Sequence, residues 1–273
     1  MTHCLTLQEV KDNYLAVDFF LSMSCNRSCH YCTTYTLEQR NLTVDMDFLS
    51  YVLDCFKKYK VRINLLGGEP ALIKNLKEVI DEIKKYDNFV CSVLSNSYVR
   101  KRYPDILEDP SIFYFEHLVL DFYEDRVEKL GNFDFLPKND KNNYNVVIKT
   151  PNYEKYRRNF PEEIAKLNHK NTMFKQYNSR SPEFDVITQS PKIDRKLCAK
   201  FPQVPVIDFE NKNIRHCSKR TQDSRTFEVT KDNIDKMMQF KLFEYESYCE
   251  TCCENISNFS FKKYAEIIET YEI

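Results

Sequence analysis

Short apolar runs alternate along the chain with longer segments in which apolar residues recur at helical spacing. In about the first 170 residues, six runs rich in β-branched and aromatic residues predict buried strands: Tyr14–Ser22, Arg62–Leu66, Phe89–Leu94, His117–Phe122, Asn145–Ile148 and Thr172–Tyr177. Three segments between them predict helices: Thr43–Tyr59, Ile73–Tyr86 and Pro161–Leu167. This alternation predicts right-handed βαβ units and a parallel sheet. The expected fold class is α/β, and six such units favour a partial (β/α)6 TIM-like barrel over an open doubly wound sheet.

The pattern changes after the sixth predicted strand, where residues 178–197 are polar and irregular and predict a linker. Two further strands flank the turn Glu210-Asn211-Lys212 and predict a hairpin: Val204–Phe209 and Asn213–Cys217. Two more helices are predicted: one near Asp232–Phe243 and an amphipathic one over Phe261–Tyr271. The sequence thus predicts a barrel domain over 1–177 and a small appendage of hairpin and helix over 198–273.

The composition narrows the class of protein. The formal net charge is −1, so the chain lacks the basic surplus of an electrostatic nucleic-acid binder. No apolar run approaches the roughly 20 residues of a membrane-spanning helix, and the first residues lack the layout of a signal peptide. We therefore expect a cytoplasmic protein that binds neither nucleic acid nor membrane. In that reducing compartment, eleven cysteines indicate metal ligands better than disulfides.

Three cysteines directly follow the first predicted strand: Cys25, Cys29 and Cys32. Three thiolates within eight residues can converge on one soft metal centre. A [4Fe-4S] cluster normally takes four cysteines, so three local ligands would leave one iron open to a non-protein ligand. A zinc knuckle is the alternative, although zinc sites favour paired CxxC units and four protein ligands.

The cysteine spacing, three residues and then two, with Tyr31 before the last cysteine, resembles the cluster loop of radical S-adenosylmethionine (radical SAM) enzymes. The resemblance implies that the open iron binds the amino and carboxylate groups of SAM and that Tyr31 packs near the adenine. It further implies reductive cleavage of SAM to a 5′-deoxyadenosyl radical, which abstracts hydrogen from an organic substrate.

Two later turns extend this resemblance. The turn after the second predicted strand consists of Gly67, Gly68, Glu69 and Pro70, and contains two of the three glycines in the chain. Adjacent glycines expose backbone groups, and a glutamate can accept hydrogen bonds from an ammonium group. The turn matches the GGEP segment that holds the amino group of SAM in this family. Ser95 and Asn96 follow the third strand, where the family often has a Thr-Asn-Gly turn beside the ribose; alone, each segment is also an ordinary turn.

Four more cysteines lie beyond the predicted linker: Cys198, Cys217, Cys249 and Cys252. The first two flank the predicted hairpin and the last two form a CxxC turn, so together they can complete a metal site. The arrangement resembles the twitch appendage, a shortened SPASM domain that carries one auxiliary [4Fe-4S] cluster. Such hairpins usually carry a glycine before the second cysteine; Asn211 and Asn213 stand here instead, and asparagine tolerates the left-handed conformation. Cys253 is an alternative ligand, and a structural zinc site is an alternative to the cluster.

The resemblance implies a radical SAM oxidoreductase. An auxiliary cluster that accepts the electron left on the substrate radical would give a two-electron oxidation of the dehydrogenase type, and a flavodoxin or ferredoxin would donate electrons. The 24 residues before Cys25 are too few for a leader-recognition domain, which favours a small polar metabolite over a ribosomal peptide or protein side chain. A non-enzymatic cysteine–metal binding module is the remaining alternative.

No general base stands out by its spacing. Parallel barrels bind their ligands at the C-terminal ends of the strands. Polar residues at these ends are therefore candidate contacts for SAM or substrate. The candidates are Asp121, Lys149, Thr150, Gln176 and Tyr177.

Overall fold

The computed structural model describes residues 9–10, 13–26, 42–96, 98–119, 144–150, 172–176, 204–215, 225–239 and 241–242. Within these residues, nine strands pair into one sheet. The strands are β1 (Leu15–Ser22), β2 (Val61–Gly67), β3 (Phe89–Ser95), β4 (Ile112–Val119), β5 (Tyr144–Thr150), β6 (Thr172–Gln176), β7 (Val206–Asp208), β8 (Asn213–Arg215) and β9 (Thr226–Glu228). The helices are α1 (Met46–Phe56), α2 (Leu76–Ile83), α3 (Tyr98–Arg102), α4 (Pro104–Glu108) and α5 (Lys231–Met238).

The first six strands lie side by side in chain order, and each pairs in parallel with the next. This confirms the predicted parallel α/β sheet. The closure of these strands into a partial barrel stays a prediction, as do the domain boundaries at 177 and 198. The predicted helices at 161–167 and 261–271 lie outside the described residues.

The fourth strand begins five residues earlier than the predicted His117–Phe122. The first residues of this strand alternate between the two faces of the sheet. Ile112 and Tyr114 are buried in the core beside the helices, and Phe113 and Phe115 belong to a second apolar cluster on the other face. A period of two with apolar residues on both faces is typical of a strand buried on both sides. The short helices α3 and α4 were not predicted.

The main core lies between the helices and one face of the sheet. Alternate residues of the first three strands point to it, among them Phe19, Ile63 and Val93, and all three are fully buried. The buried helix residues are Leu49, Val52, Leu53, Cys55 and Phe56 of α1 and Leu76, Val79, Ile80 and Ile83 of α2. Asp45 fixes the start of α1, since its side chain accepts hydrogen bonds from the backbone N–H groups of Asp47 and Phe48.

The predicted hairpin is present, and it extends the same sheet. β7 pairs in parallel with β1, and β8 and β9 follow in antiparallel order. The left-handed residue of its turn is Lys212, with a φ of 49°, and not the asparagines on either side. α5 begins after the N-cap Thr230 and buries Ile234, Met237 and Met238 in the core shared with α1. The described residues after position 204 therefore share the sheet and core of the first strands.

Among the described residues, no helix combines the length and the apolar character that crossing a membrane requires.

Candidate active site

Predicted site residues from three separate segments meet at the C-terminal ends of β1, β2 and β3. The connection between β1 and α1, residues 23–45, contains the three clustered cysteines and is here called the cysteine loop. Its two ends, 23–26 and 42–45, are described. Cys25 lies at the first end, whereas Cys29, Tyr31 and Cys32 lie outside the described residues.

The glycine pair allows the end of β2 to approach the start of the cysteine loop. Gly67 has a φ of 132°, and a β-carbon there would lie 2.1 Å from the carbonyl oxygen of Ser22. A β-carbon on Gly68 would lie 1.9 Å from the carbonyl oxygen of Ser24. The N–H of Gly68 donates to the Ser22 carbonyl and that of Glu69 to the Ser24 carbonyl, both at 2.8 Å. The glycines therefore permit close backbone packing. The predicted contact of this turn with SAM stays a prediction.

The carboxylate of Glu69 joins the end of β2 to the end of β3. Its side chain is only 2% exposed. One oxygen, Oε1, accepts from the N–H of Ala71 at 3.1 Å and from Oγ of Ser95 at 2.8 Å, and Oε2 accepts from the N–H of Asn96 at 2.7 Å. These bonds offset the cost of removing the charge from water. Pro70 begins a single 3₁₀ turn and is buried.

Asn96 connects the end of β3 to the cysteine loop and so completes a ring of contacts among the ends of β1, β2 and β3. Its Nδ2 lies 3.6 Å from Sγ of Cys25 and donates to Oδ1 of Asn26 at 2.8 Å. Its own Oδ1 is buried and has no hydrogen-bond partner among the described residues. A buried amide oxygen without a partner is costly, so this atom is suited to a donor on a bound ligand.

The described part of this site is compatible with a [4Fe-4S] cluster and SAM. Cys25 would supply a soft ligand for iron, and Oδ1 of Asn96 beside it would accept from a hydroxyl group. Within the described residues, no three His, Cys, Asp or Glu side chains come together as a metal site. The remaining predicted metal ligands lie outside those residues: Cys29, Cys32, Cys198, Cys217, Cys249, Cys252 and the alternative Cys253.

Sequence reasoning did not find a polar row that crosses the sheet on the face turned away from α1 and α2. Asp18, Asn64 and Ser92 are each buried and lie in register on β1, β2 and β3. Nδ2 of Asn64 donates to Oδ1 of Asp18 at 2.8 Å, and Oγ of Ser92 donates to Oδ1 of Asn64 at 2.5 Å. The sequence signal for this row was a polar residue within each of three largely apolar strands, at a position facing away from the helices.

The substrate candidates at the later strand ends are only partly placed. Lys149 and Thr150 end β5, and Gln176 ends β6, in segments described by their backbone. Asp121 and Tyr177 lie outside the described residues.

Comparisons with known proteins identify the family. Residues 20–160 match the model of the Radical SAM superfamily. Since this match covers half of the chain, the chain belongs to the radical SAM superfamily, whose members use a [4Fe-4S] cluster and SAM.

The sequence relatives are partial matches. A Methanocaldococcus jannaschii protein assigned as a glycyl-radical enzyme activating enzyme is 31% identical over 106 residues, which cover 38% of this chain and 39% of that protein. A Sulfolobus acidocaldarius protein assigned as a GTP 3′,8-cyclase is 27% identical over 93 residues, or 34% of this chain and 30% of that protein. The matched region spans less than two fifths of either relative.

A solved structure shares the fold. The crystal structure of Streptococcus suis SuiB has a TM-score of 0.50 and 12% sequence identity, with coverage of 81% of this chain and 64% of SuiB. At this identity, the likeness shows the fold alone.

Substitution Gly68→Ala should break the contact between the β2 turn and the cysteine loop. The new β-carbon would lie 1.9 Å from the Ser24 carbonyl oxygen, so the backbone bonds from Gly68 and Glu69 cannot both persist. We expect a loss of about 2–4 kcal/mol in the free energy of unfolding, measured with urea. Ala71→Gly in the same turn adds no atoms and should cost less, about 1–2 kcal/mol, from the loss of one buried methyl group and the added backbone freedom. An unchanged unfolding midpoint for Gly68→Ala would contradict this account.

The two buried cysteines of the described residues, Cys55 and Cys91, should be unreactive. Burial raises the pKa of Cys91 to about 12 and also raises that of Cys55. At pH 8 a thiol of pKa about 12 is ionised in about one molecule in ten thousand, and only the thiolate reacts. Mass spectrometry after iodoacetamide treatment of the metal-free native protein should show Cys25 modified and Cys91 intact, while both are modified in urea. Modification of native Cys91 at the rate of Cys25 would refute the assignment.

The same pKa shift should affect stability in alkali. The Cys91 thiol ionises near pH 9 in the unfolded chain and near 12 in the fold, so its contribution to stability is lost as the pH rises above 9.

Proposed function

We propose that this chain cleaves SAM reductively at a [4Fe-4S] cluster held by Cys25, Cys29 and Cys32 and uses the resulting radical to oxidise an organic substrate. The observation that carries this proposal is the ring of contacts at the ends of β1, β2 and β3, which places Cys25 next to Asn96 and the Gly67–Pro70 turn. When bound, the cluster supplies a single electron to SAM and leaves one iron open for it.

The residues of the ring would hold SAM in a fixed orientation. Oδ1 of Asn96 would accept from a ribose hydroxyl, and Ser95 would keep Glu69 in place through its 2.8 Å bond. The Gly67–Pro70 turn would lie beside the amino group of the methionine part. Tyr31 is proposed to pack near the adenine.

The C-terminal cysteines are proposed to form a twitch-like auxiliary site. The β7–β8 hairpin lies between Cys198 and Cys217, as that arrangement requires, and this supports the proposal. Cys249 and Cys252, or Cys253 in place of the latter, would complete the ligand set. In the overall oxidation, the substrate would lose one hydrogen atom to the adenosyl radical, one electron to the auxiliary site and one proton to solvent. A flavodoxin- or ferredoxin-type protein would reduce the SAM-binding cluster.

We infer that the substrate is a small polar metabolite. The row formed by Asp18, Asn64 and Ser92 presents hydrogen-bonding groups on a face of the sheet whose other buried residues include Val90 and Phe113. The row thus forms a polar stripe in apolar surroundings. A polar substrate that reaches this row would bind through the Asp18 carboxylate, because carboxylate oxygens accept from hydroxyl and amino groups.

Anaerobic reconstitution tests the cluster assignment. With both sites filled, the wild-type chain should bind about eight irons and release 5′-deoxyadenosine from SAM when reduced. Replacement of Cys25, Cys29 and Cys32 by alanine should leave about four irons and abolish this release. Replacement of the four C-terminal cysteines should also leave about four irons, while the release of 5′-deoxyadenosine persists.

These two cysteine variants serve as controls for each other, since each removes one site and retains the other. Zinc at either site without cleavage of SAM would favour the non-enzymatic metal-binding module. Four irons in the wild type, unchanged by loss of the C-terminal cysteines, would contradict the auxiliary cluster.

The substrate proposal predicts a selective effect of Asp18→Asn. With a low-molecular-mass extract from cells grown in deuterated medium, wild-type enzyme should incorporate deuterium into 5′-deoxyadenosine. Asp18→Asn should lower this incorporation about tenfold or more, because hydrogen bonds to a charged group are the stronger ones, and leave substrate-independent cleavage of SAM unchanged. Asp109→Asn, at the opposite end of the strands, should have no effect. Incorporation from the peptide fraction alone would favour the peptide-modifying alternative.

A further inference from the structure

The turn between β7 and β8 contacts both ends of the cysteine loop. At the first end, the N–H of Met23 donates to Oε2 of Glu210 at 2.7 Å, two residues before Cys25. At the second end, Nζ of Lys212 lies 2.7 Å from Oδ2 of Asp45, the last residue of the loop. Two residues of one turn thus bind two points that are 22 residues apart in the chain.

The two carboxylate oxygens of Asp45 have different partners. Oδ1 accepts from the N–H groups of Asp47 and Phe48, both at 3.1 Å, and so caps α1, while Oδ2 receives Lys212. The Lys212 ammonium also lies 5.2 Å from the centre of the Phe48 ring. The contact therefore joins the β7–β8 turn to the first turn of α1.

The turn itself is rigidly supported. Phe209 donates its N–H to the Phe20 carbonyl at 2.9 Å, and its ring packs edge-on to that of Phe48 at 5.3 Å. Asp208 is 1% exposed and accepts from the N–H of Asn211 at 3.0 Å. Lys212 adopts a φ of 49°, which is unfavourable for a residue with a side chain and is found where surrounding contacts enforce it.

We propose that Glu210 and Lys212 are positioning residues that hold the cysteine loop in a conformation ready for the cluster. This inference rests on the proposed cluster at Cys25, Cys29 and Cys32. Three thiolates must converge on one centre, and fixing the ends of the loop reduces the conformational entropy lost when they do. Each contact is at the surface and modest by itself, but both act on the same loop.

The test uses the full chain with Glu210→Ala and Lys212→Met, singly and together. In metal-free protein, Cys25 should react with iodoacetamide about three- to tenfold faster in the double variant, as expected for the loss of two surface polar contacts. In reconstituted protein, iron should pass to a chelator faster by a similar factor. The EPR spectrum of the reduced cluster should broaden and respond less to SAM.

Two controls separate positioning from general damage. Glu210→Gln keeps a hydrogen-bond acceptor and Lys212→Arg keeps the charge, so this pair should restore the wild-type rates and spectrum. Lys84→Met removes a similar ion pair with Asp109, 2.6 Å long, away from the loop, and should change neither rate. Equal alkylation rates in the double variant and wild type would overturn the inference. A wild-type chain that binds no iron would instead refute the proposed function, since the alkylation rates are measured without metal.

Discussion

Two backbone N–H groups, those of Gly68 and Glu69, donate to the carbonyls of Ser22 and Ser24 and draw the end of β2 against the start of the cysteine loop. This contact is possible only because neither Gly67 nor Gly68 has a β-carbon. The position of Cys25 follows from it, since Cys25 is the next residue after Ser24. The glycine requirement thus arises from packing within the protein, whatever further contact the turn makes with a ligand.

The same turn buries the carboxylate of Glu69, which is unusual for a charged group at the end of a strand. Its contacts include two backbone N–H groups and the Ser95 hydroxyl. Hydrogen bonds to a carboxylate are stronger than those between neutral groups, so they fix Glu69 where the ends of β2 and β3 meet. This fixed position beside the cysteine loop supports the proposal that the turn lies next to SAM.

The sequence predicted the features that depend on local pattern. The first three strands, the parallel order and the hairpin were found because alternation and turn residues are local signals. Only the start of the fourth strand was predicted wrongly, because its first residues, from Ile112, are apolar on both faces and show no polar alternation. Contacts between distant segments could not be predicted: the bond from Asn96 to Asn26 spans 70 residues, and that from Met23 to Glu210 spans 187.

These distant contacts have a consequence for β1. The strand lies between β2 and β7, so its two edges are paired to segments from opposite parts of the chain. On the β7 side, Asp18 donates its N–H to the carbonyl of Pro205, and Phe20 accepts from Phe209, both at 2.9 Å. An unpaired edge strand opens more readily than a central one. The place where the cysteine loop begins therefore depends on β2 along one edge of β1 and on β7 along the other. The start of the loop is thus set by the sheet as well as by the loop sequence.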